Sequence, residues 1–201
     1  MKTKIYQLSL LMLLLNSACQ KPPLDYETAL SHCIVTHDSV TNTGERIIVG
    51  SNENCILGAQ LPEFAGTTMD GKKIDKSYFE GKVSVINFWF EGCMPCEAEM
   101  PGFNKLVEKY KSQPVNFLAI GRDSPKDITD FLTAHPFNVD HIAYGQPIIE
   151  GNFQTRWGFP LTIVADKHLK ILYAREGGRT DSLAITAIQS ALTPVIDMAL
   201  K

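Results

Sequence analysis

The sequence predicts an α/β fold: a mixed central sheet flanked by helices, preceded by an N-terminal extension. Three observations carry that prediction. The apolar runs "VSVINFWF" (83–90) and "VNFLAIGR" (115–122) are rich in β-branched and aromatic residues and read as buried strands. A stretch with apolar residues at helical spacing follows each of them. Near the C-terminus "PLTIVAD" and "KILYARE" are separated by a tight turn at "KH", so these two strands are antiparallel and the sheet is mixed.

The chain has 201 residues, enough for one domain with a sizeable core. Its net charge is −3 and its basic residues are scattered, which excludes a nucleic-acid platform. The N-terminus stands apart. "MKTK" supplies positive charge, and a short apolar stretch leads to small residues and Cys19, the pattern of a secretory signal over residues 1–19. The apolar part is shorter than the roughly 20 residues of a spanning helix, so an uncleaved anchor is the weaker alternative. "LNSAC" resembles the lipobox of bacterial lipoproteins, with Asn16 in the place of the usual branched apolar residue. That resemblance implies lipidation of Cys19 and a membrane anchor.

Residues 20–57 read as a tether followed by an extension. "KPP" marks the tether, to about Glu27. "ERIIVG" and "CILG" are read as two short strands around the turn-rich "SNEN". Cys33 and Cys55 flank this region, and in an exported chain they are candidates for a structural disulfide. Closing that loop would contribute roughly 3 kcal/mol by the chain-entropy estimate. The alternative is two unpaired buried thiols.

A regular domain is predicted over residues 58–201. "MDGKKID" places an Asp-Gly turn between short extended pieces, and "KSYFEGK" reads as one helical turn closed by Gly81. After residues 83–90, "MPCEAEMPGFNKLVEKYKS" carries Phe103, Leu106, Val107 and Tyr110 at helical spacing, with Pro101 expected to kink the helix. Beyond the second strand, Ser124 caps a helix that has Pro125 at its first position. "HIAYG" reads as a third strand, "IIEGNFQTRWG" as a helix ending at Gly158, and residues 181–199 as a closing amphipathic helix.

The chemistry centres on "EGCMPCEAEMP" (91–101). Cys93 and Cys96 are too few ligands for a zinc site: there is no second CxxC, and the five histidines show no ligand spacing. No metal and no cofactor is expected. The pair sits where a buried strand passes into a helix, so Cys93 meets the helix N-terminus, whose N–H groups and dipole favour a thiolate. Cys96, almost one turn further on, is placed to attack a mixed disulfide on Cys93. A purely structural disulfide would not call for that placement.

"PEFAGTTMDGKKI…FEGKVSVINFWFEGCMPCEAEMP", with "GFPLTIVAD" after it, resembles the exported thioredoxin-like proteins of the TlpA/ResA type, in the AhpC/TSA-redoxin superfamily. The resemblance covers roughly residues 58–199. It implies a thiol-disulfide oxidoreductase acting on protein disulfides or thiols at the periplasmic face of a membrane. It further implies a reductant supplied by a membrane thiol-disulfide electron donor. Cys93 would be the nucleophile, Cys96 the resolving thiol and Pro160 a cis-proline. Trp89, Met94, Pro95 and Phe159 would border the substrate groove. Glu99 falls on the acidic position of the family's E-x-P motif, where a buried carboxyl can pass protons between thiols. Its alternative is an ordinary first-turn glutamate.

The chain departs from the family at Gly92, where Trp is usual. Asn87 stands where thioredoxins proper bury an Asp. Two other functions compete. A peroxiredoxin would need Thr at the position of Phe90. A lipid-anchored interaction module would use the CxxC only as a staple.

Overall fold

The computed structural model describes residues 22–33, 38–40, 46–48, 53–155 and 157–201. The signal-like segment and Cys19 lie outside the described residues. A five-stranded sheet forms the centre, in the order β7-β6-β5-β8-β9. Its strands are β5 (Val83–Trp89), β6 (Val115–Gly121), β7 (Asp140–Ile142), β8 (Leu161–Ala165) and β9 (Ile171–Glu176). β5, β6 and β7 are parallel, and β8 and β9 join antiparallel, giving the mixed sheet expected.

All seven residues of β5 are buried because both faces of the sheet are covered. Alternation along the strand divides the core in two. Val83, Val85 and Trp89 face one cluster, which Met100, Phe103 and Leu106 of α3 (Met94–Tyr110) and Ile188, Leu192 and Ile196 of α5 (Ala184–Ala199) complete. Ile128 of α4 (Pro125–Ala134) joins this face, and Ser124 Oγ accepts from the Asp127 N–H as the cap of that helix. Ile86 and Phe88 point the other way, into a cluster with Phe64, Ile74, Phe79 and Phe153.

The N-terminal extension packs into this second cluster. Helix α1 (Tyr26–Ser31) begins within the stretch read as a tether and buries Tyr26, Ala29 and Leu30. Tyr26 Oη donates to the Phe153 carbonyl at 2.9 Å, and Gln60 N–H donates to the Leu24 carbonyl at 2.8 Å. Arg46–Ile48 (β2) is a strand, but its partner is Asp38–Val40 (β1). "CILG" is not a strand. Glu53–Ile56 is a 3-10 turn that satisfies its backbone locally, with Leu57 N–H on the Asn54 carbonyl and Ala59 N–H on that of Ile56. A short hairpin, β3 (Gly66–Thr67) with β4 (Lys73–Ile74), and one turn, α2 (Lys76–Phe79), lead into β5.

Helix α3 includes Pro101 within its span. One further expectation changes. The helix predicted to reach Gly158 is only a π turn, Ile148–Asn152, closed by Phe153 N–H on the Ile148 carbonyl. Gln154, with φ +46°, takes the chain out of helical geometry there.

Candidate active site

The site lies where β5 ends and α3 begins. Gly92 has φ +85°, a left-handed conformation open to glycine, and it turns the chain so that Cys93 becomes the N-cap of α3. A Trp in this backbone conformation would be strained. The turn is held from the loop after β6, where Asp123 Oδ2 accepts from Glu91 N–H at 2.7 Å, and within itself, where Cys93 N–H donates to the Phe90 carbonyl at 3.2 Å. Pro95 occupies the first turn of α3, where its missing N–H leaves no bond unmade.

Cys93 and Cys96 are joined in a disulfide, with Cα atoms 5.2 Å apart. Both are buried, at 4% and 3% exposure, while Met94 between them is 70% exposed. Beside them, Phe90 and Phe159 meet edge to face at 5.3 Å. The exposed Arg122 guanidinium lies 5.8 Å and 5.6 Å from the two ring centres. The Phe159–Pro160 peptide is cis, and Pro160 is buried at the start of β8.

Glu99, one turn beyond Cys96 on α3, is only 2% exposed. Burial pushes its carboxyl up from 4.5 to about 7, against the opposing pull of the Arg175 guanidinium from β9. A carboxyl poised near neutrality, a helical turn from a thiol, can exchange protons with it at physiological pH. Asn87 is buried in β5 and donates to Thr162 Oγ1 of β8 at 3.0 Å, so this position ties strands together through a neutral pair.

Trp89 is not in a groove. It is fully buried and packs against Phe131, Phe137 and His141, with ring centres 5.5 Å, 6.2 Å and 6.0 Å away. It alternates with Phe90, and it is Phe90 that reaches the surface beside Phe159. Sequence reasoning gave Arg122 no role, although it opens "RDSP" just past the end of β6. Reading the sheet as parallel at β5 and β6 would have flagged it, because parallel neighbours end on the same edge.

The second disulfide, Cys33–Cys55, joins the second residue beyond α1 to the 3-10 turn, also with Cα atoms 5.2 Å apart. Among the described residues no cluster of three or more His, Cys, Asp or Glu side chains is placed to hold a metal ion. No helix among them is long and apolar enough to cross a membrane.

The model of the AhpC/TSA family matches residues 57–185. The thiol-disulfide oxidoreductase ResA of Bacillus thuringiensis subsp. konkukian is 42% identical over 71 residues, which span 35% of this chain and 41% of that one. ResA of Halalkalibacterium halodurans is 33% identical over 132 residues, 63% of this chain and 72% of that protein. The match thus spans less than half of the first relative's length and nearly three quarters of the second's. Among solved structures, a candidate thiol:disulfide interchange protein DsbE from Chlorobium tepidum superposes with a TM-score of 0.59 at 26% identity, over 71% of this chain and 96% of that one. The thioredoxin domain of a thiol-disulfide oxidoreductase from Bacteroides vulgatus gives a TM-score of 0.59 at 19% identity, over 70% and 97%, and shares the fold.

Proposed function

This chain belongs to the AhpC/TSA family, and we propose that it works as a ResA-like thiol-disulfide oxidoreductase that reduces protein disulfides. The observation that carries the reading is the Cys93–Cys96 disulfide at the start of α3 with the buried Glu99 carboxyl one turn beyond it.

In the reduced protein the Cys93 thiolate, favoured by the helix N-terminus, attacks one sulfur of a substrate disulfide. A Cys93–substrate disulfide forms and the other substrate sulfur leaves as a thiolate. Cys96 then gives its proton to the Glu99 carboxylate and attacks Cys93 Sγ. The Cys93–Cys96 bond forms and the second substrate sulfur departs as a thiolate. Two electrons pass to the substrate, and its two thiolates take up protons, one of them returned by Glu99. A dithiol donor must then reduce the pair again; a membrane thiol-disulfide protein fills that role in this reading.

The substrate strand would approach over Met94, Pro95, Phe159 and the cis Pro160. Export and a lipid on Cys19 complete the proposal. They rest on the N-terminal sequence pattern alone.

Trapping tests the core of the proposal. Cys96→Ser should accumulate a mixed disulfide through Cys93, and Cys93→Ser should accumulate none. Trapping by Cys96 alone would reverse the assignment. For the anchor, Cys19→Ser should move the protein from the membrane to the soluble fraction; a wild-type protein already wholly soluble contradicts it.

A further inference from the structure

Glu99 has a roof, and that roof is made of backbone. β9 ends at Glu176 and the chain continues through Gly177 and Gly178. A Cβ placed on Gly178 would lie 2.5 Å from Glu99 Oε1, 2.9 Å from Glu99 Cδ and 3.3 Å from Pro95 Cβ. The loop therefore rests on both the carboxyl and the residue between the two cysteines. Gly178 itself is not in the left-handed region, so its own conformation does not call for glycine; the contact does. Gly177 is the reverse case. Its φ is +73°, and a Cβ there would meet nothing within 4 Å.

We propose that Gly178 is a positioning residue for Glu99: its missing side chain lets the loop after β9 close directly on the carboxyl and keep water off it. The inference deepens the function proposed above and rests on it for its catalytic meaning, though not for its geometry.

The charged and polar groups around Glu99 come from several elements. From β9, Arg175 opposes the effect of burial. Tyr173, two residues earlier, interacts with both Arg175 and Glu99. Cys93 and Cys96 on its own helix are bonded to each other. α5 meets α3 at Gly102 through Ile185 and Ile188. The acid of α5, Asp197, is held at the other end of α3 by Tyr110 and Lys109. The glycine loop places backbone directly against Oε1.

The test is a carboxyl-detected NMR titration of Glu99 in the full, oxidised chain, run beside thiol-exchange rates against pH. Gly178→Ala should lower the Glu99 midpoint from about 7 towards 4.5 by about one pH unit or more, a tenfold or greater loss of proton affinity. Gly177→Ala strains the backbone without placing an atom on the carboxyl and should shift it less. An unmoved or raised midpoint in Gly178→Ala, or equal shifts in both variants, overturns the proposal. If Gly178→Ala does not fold, Glu99→Asp/Gly178→Ala withdraws the carboxyl by one methylene and should restore folding; failure to do so also overturns it. Unchanged exchange in Glu99→Gln would remove the proton-transfer role, while the titration would still decide what Gly178 does.

Discussion

Cys33–Cys55 ties the end of α1 to a turn 22 residues away, and Cys93–Cys96 spans three, yet the Cα atoms are 5.2 Å apart in both. Their surroundings differ. The first lies against the apolar cluster of Tyr26, Leu30 and Ile56. The second caps a helix N-terminus and has a carboxyl, poised near neutrality by burial, one turn away. The first bond holds an extension in place by closing a loop. The second sits where a thiolate is stabilised and a proton can be moved. In the function proposed above, reactivity follows the electrostatic setting of the sulfur pair, not the spacing of the chain at the bond.

Exchanging the cysteines one pair at a time is the sharpest way to break this contrast. Cys93→Ser should reduce disulfide exchange to the uncatalysed background, measured with an oxidised protein substrate. Cys33→Ser/Cys55→Ser should leave the exchange rate per folded molecule unchanged. Equal losses from both would mean that the two bonds share the work.

Glu99→Gln tests the proton half of the contrast. Exchange should slow, by about 10²–10⁴-fold if the carboxyl acts as a full general base. In the wild type, the Glu99-dependent rate should fall as pH drops through about 7, because the protonated carboxyl no longer accepts a proton. The Glu99→Gln profile should lack that inflection.

Stability separates the two regions in opposite directions. The folded-state value of Glu99 is raised from 4.5 to about 7, so the folded state binds this proton more tightly than the unfolded chain does. Stability is then full below about pH 4.5 and declines as pH rises through 7, by about 3 kcal/mol. Glu99→Gln should therefore gain up to about that much at pH 8 and little at pH 4, by urea denaturation. Cys33→Ser/Cys55→Ser should instead lose roughly 3 kcal/mol at either pH.

The smallest effect concerns the rings beside the site. Arg122→Ala removes two exposed cation–π contacts and should cost at most about 1 kcal/mol. A larger loss in the same denaturation experiment would mean that Arg122 supports the loop as well as flanking it.

The sheet was legible because its strands announce themselves. "VSVINFWF" is apolar at six of its eight positions, and the turn at "KH" fixes the antiparallel pair. That same uniformity hid the fate of Trp89: with both faces covered, no polar alternation tells which side a residue takes. "CILG" failed for a related reason, since four apolar-leaning residues carry no period, and local turn bonds settled the question. The predicted helix to Gly158 foundered on Gln154, whose positive φ has no strong signal in the sequence. The spacing of the cysteine pair and Glu99 was readable along one helix. The burial of Glu99 was not, because its roof comes from Gly178, which joins it only through tertiary packing.

The contact between Tyr26 and Phe153 bears on where this protein can be cut. The family match begins at residue 57, but Tyr26 meets the Phe153 ring at 6.0 Å, and Phe153 in turn meets Phe88 of β5 at 4.7 Å. A fragment trimmed to the family boundary would lose α1, the 3-10 turn and both halves of the Cys33–Cys55 bond. It would uncover the side of Phe153 that Tyr26 packs against, apolar surface of the kind that draws chains into aggregates. The family module and the length that keeps Phe153 covered are thus different stretches of polypeptide, and a fragment that begins before Leu24 keeps the contact.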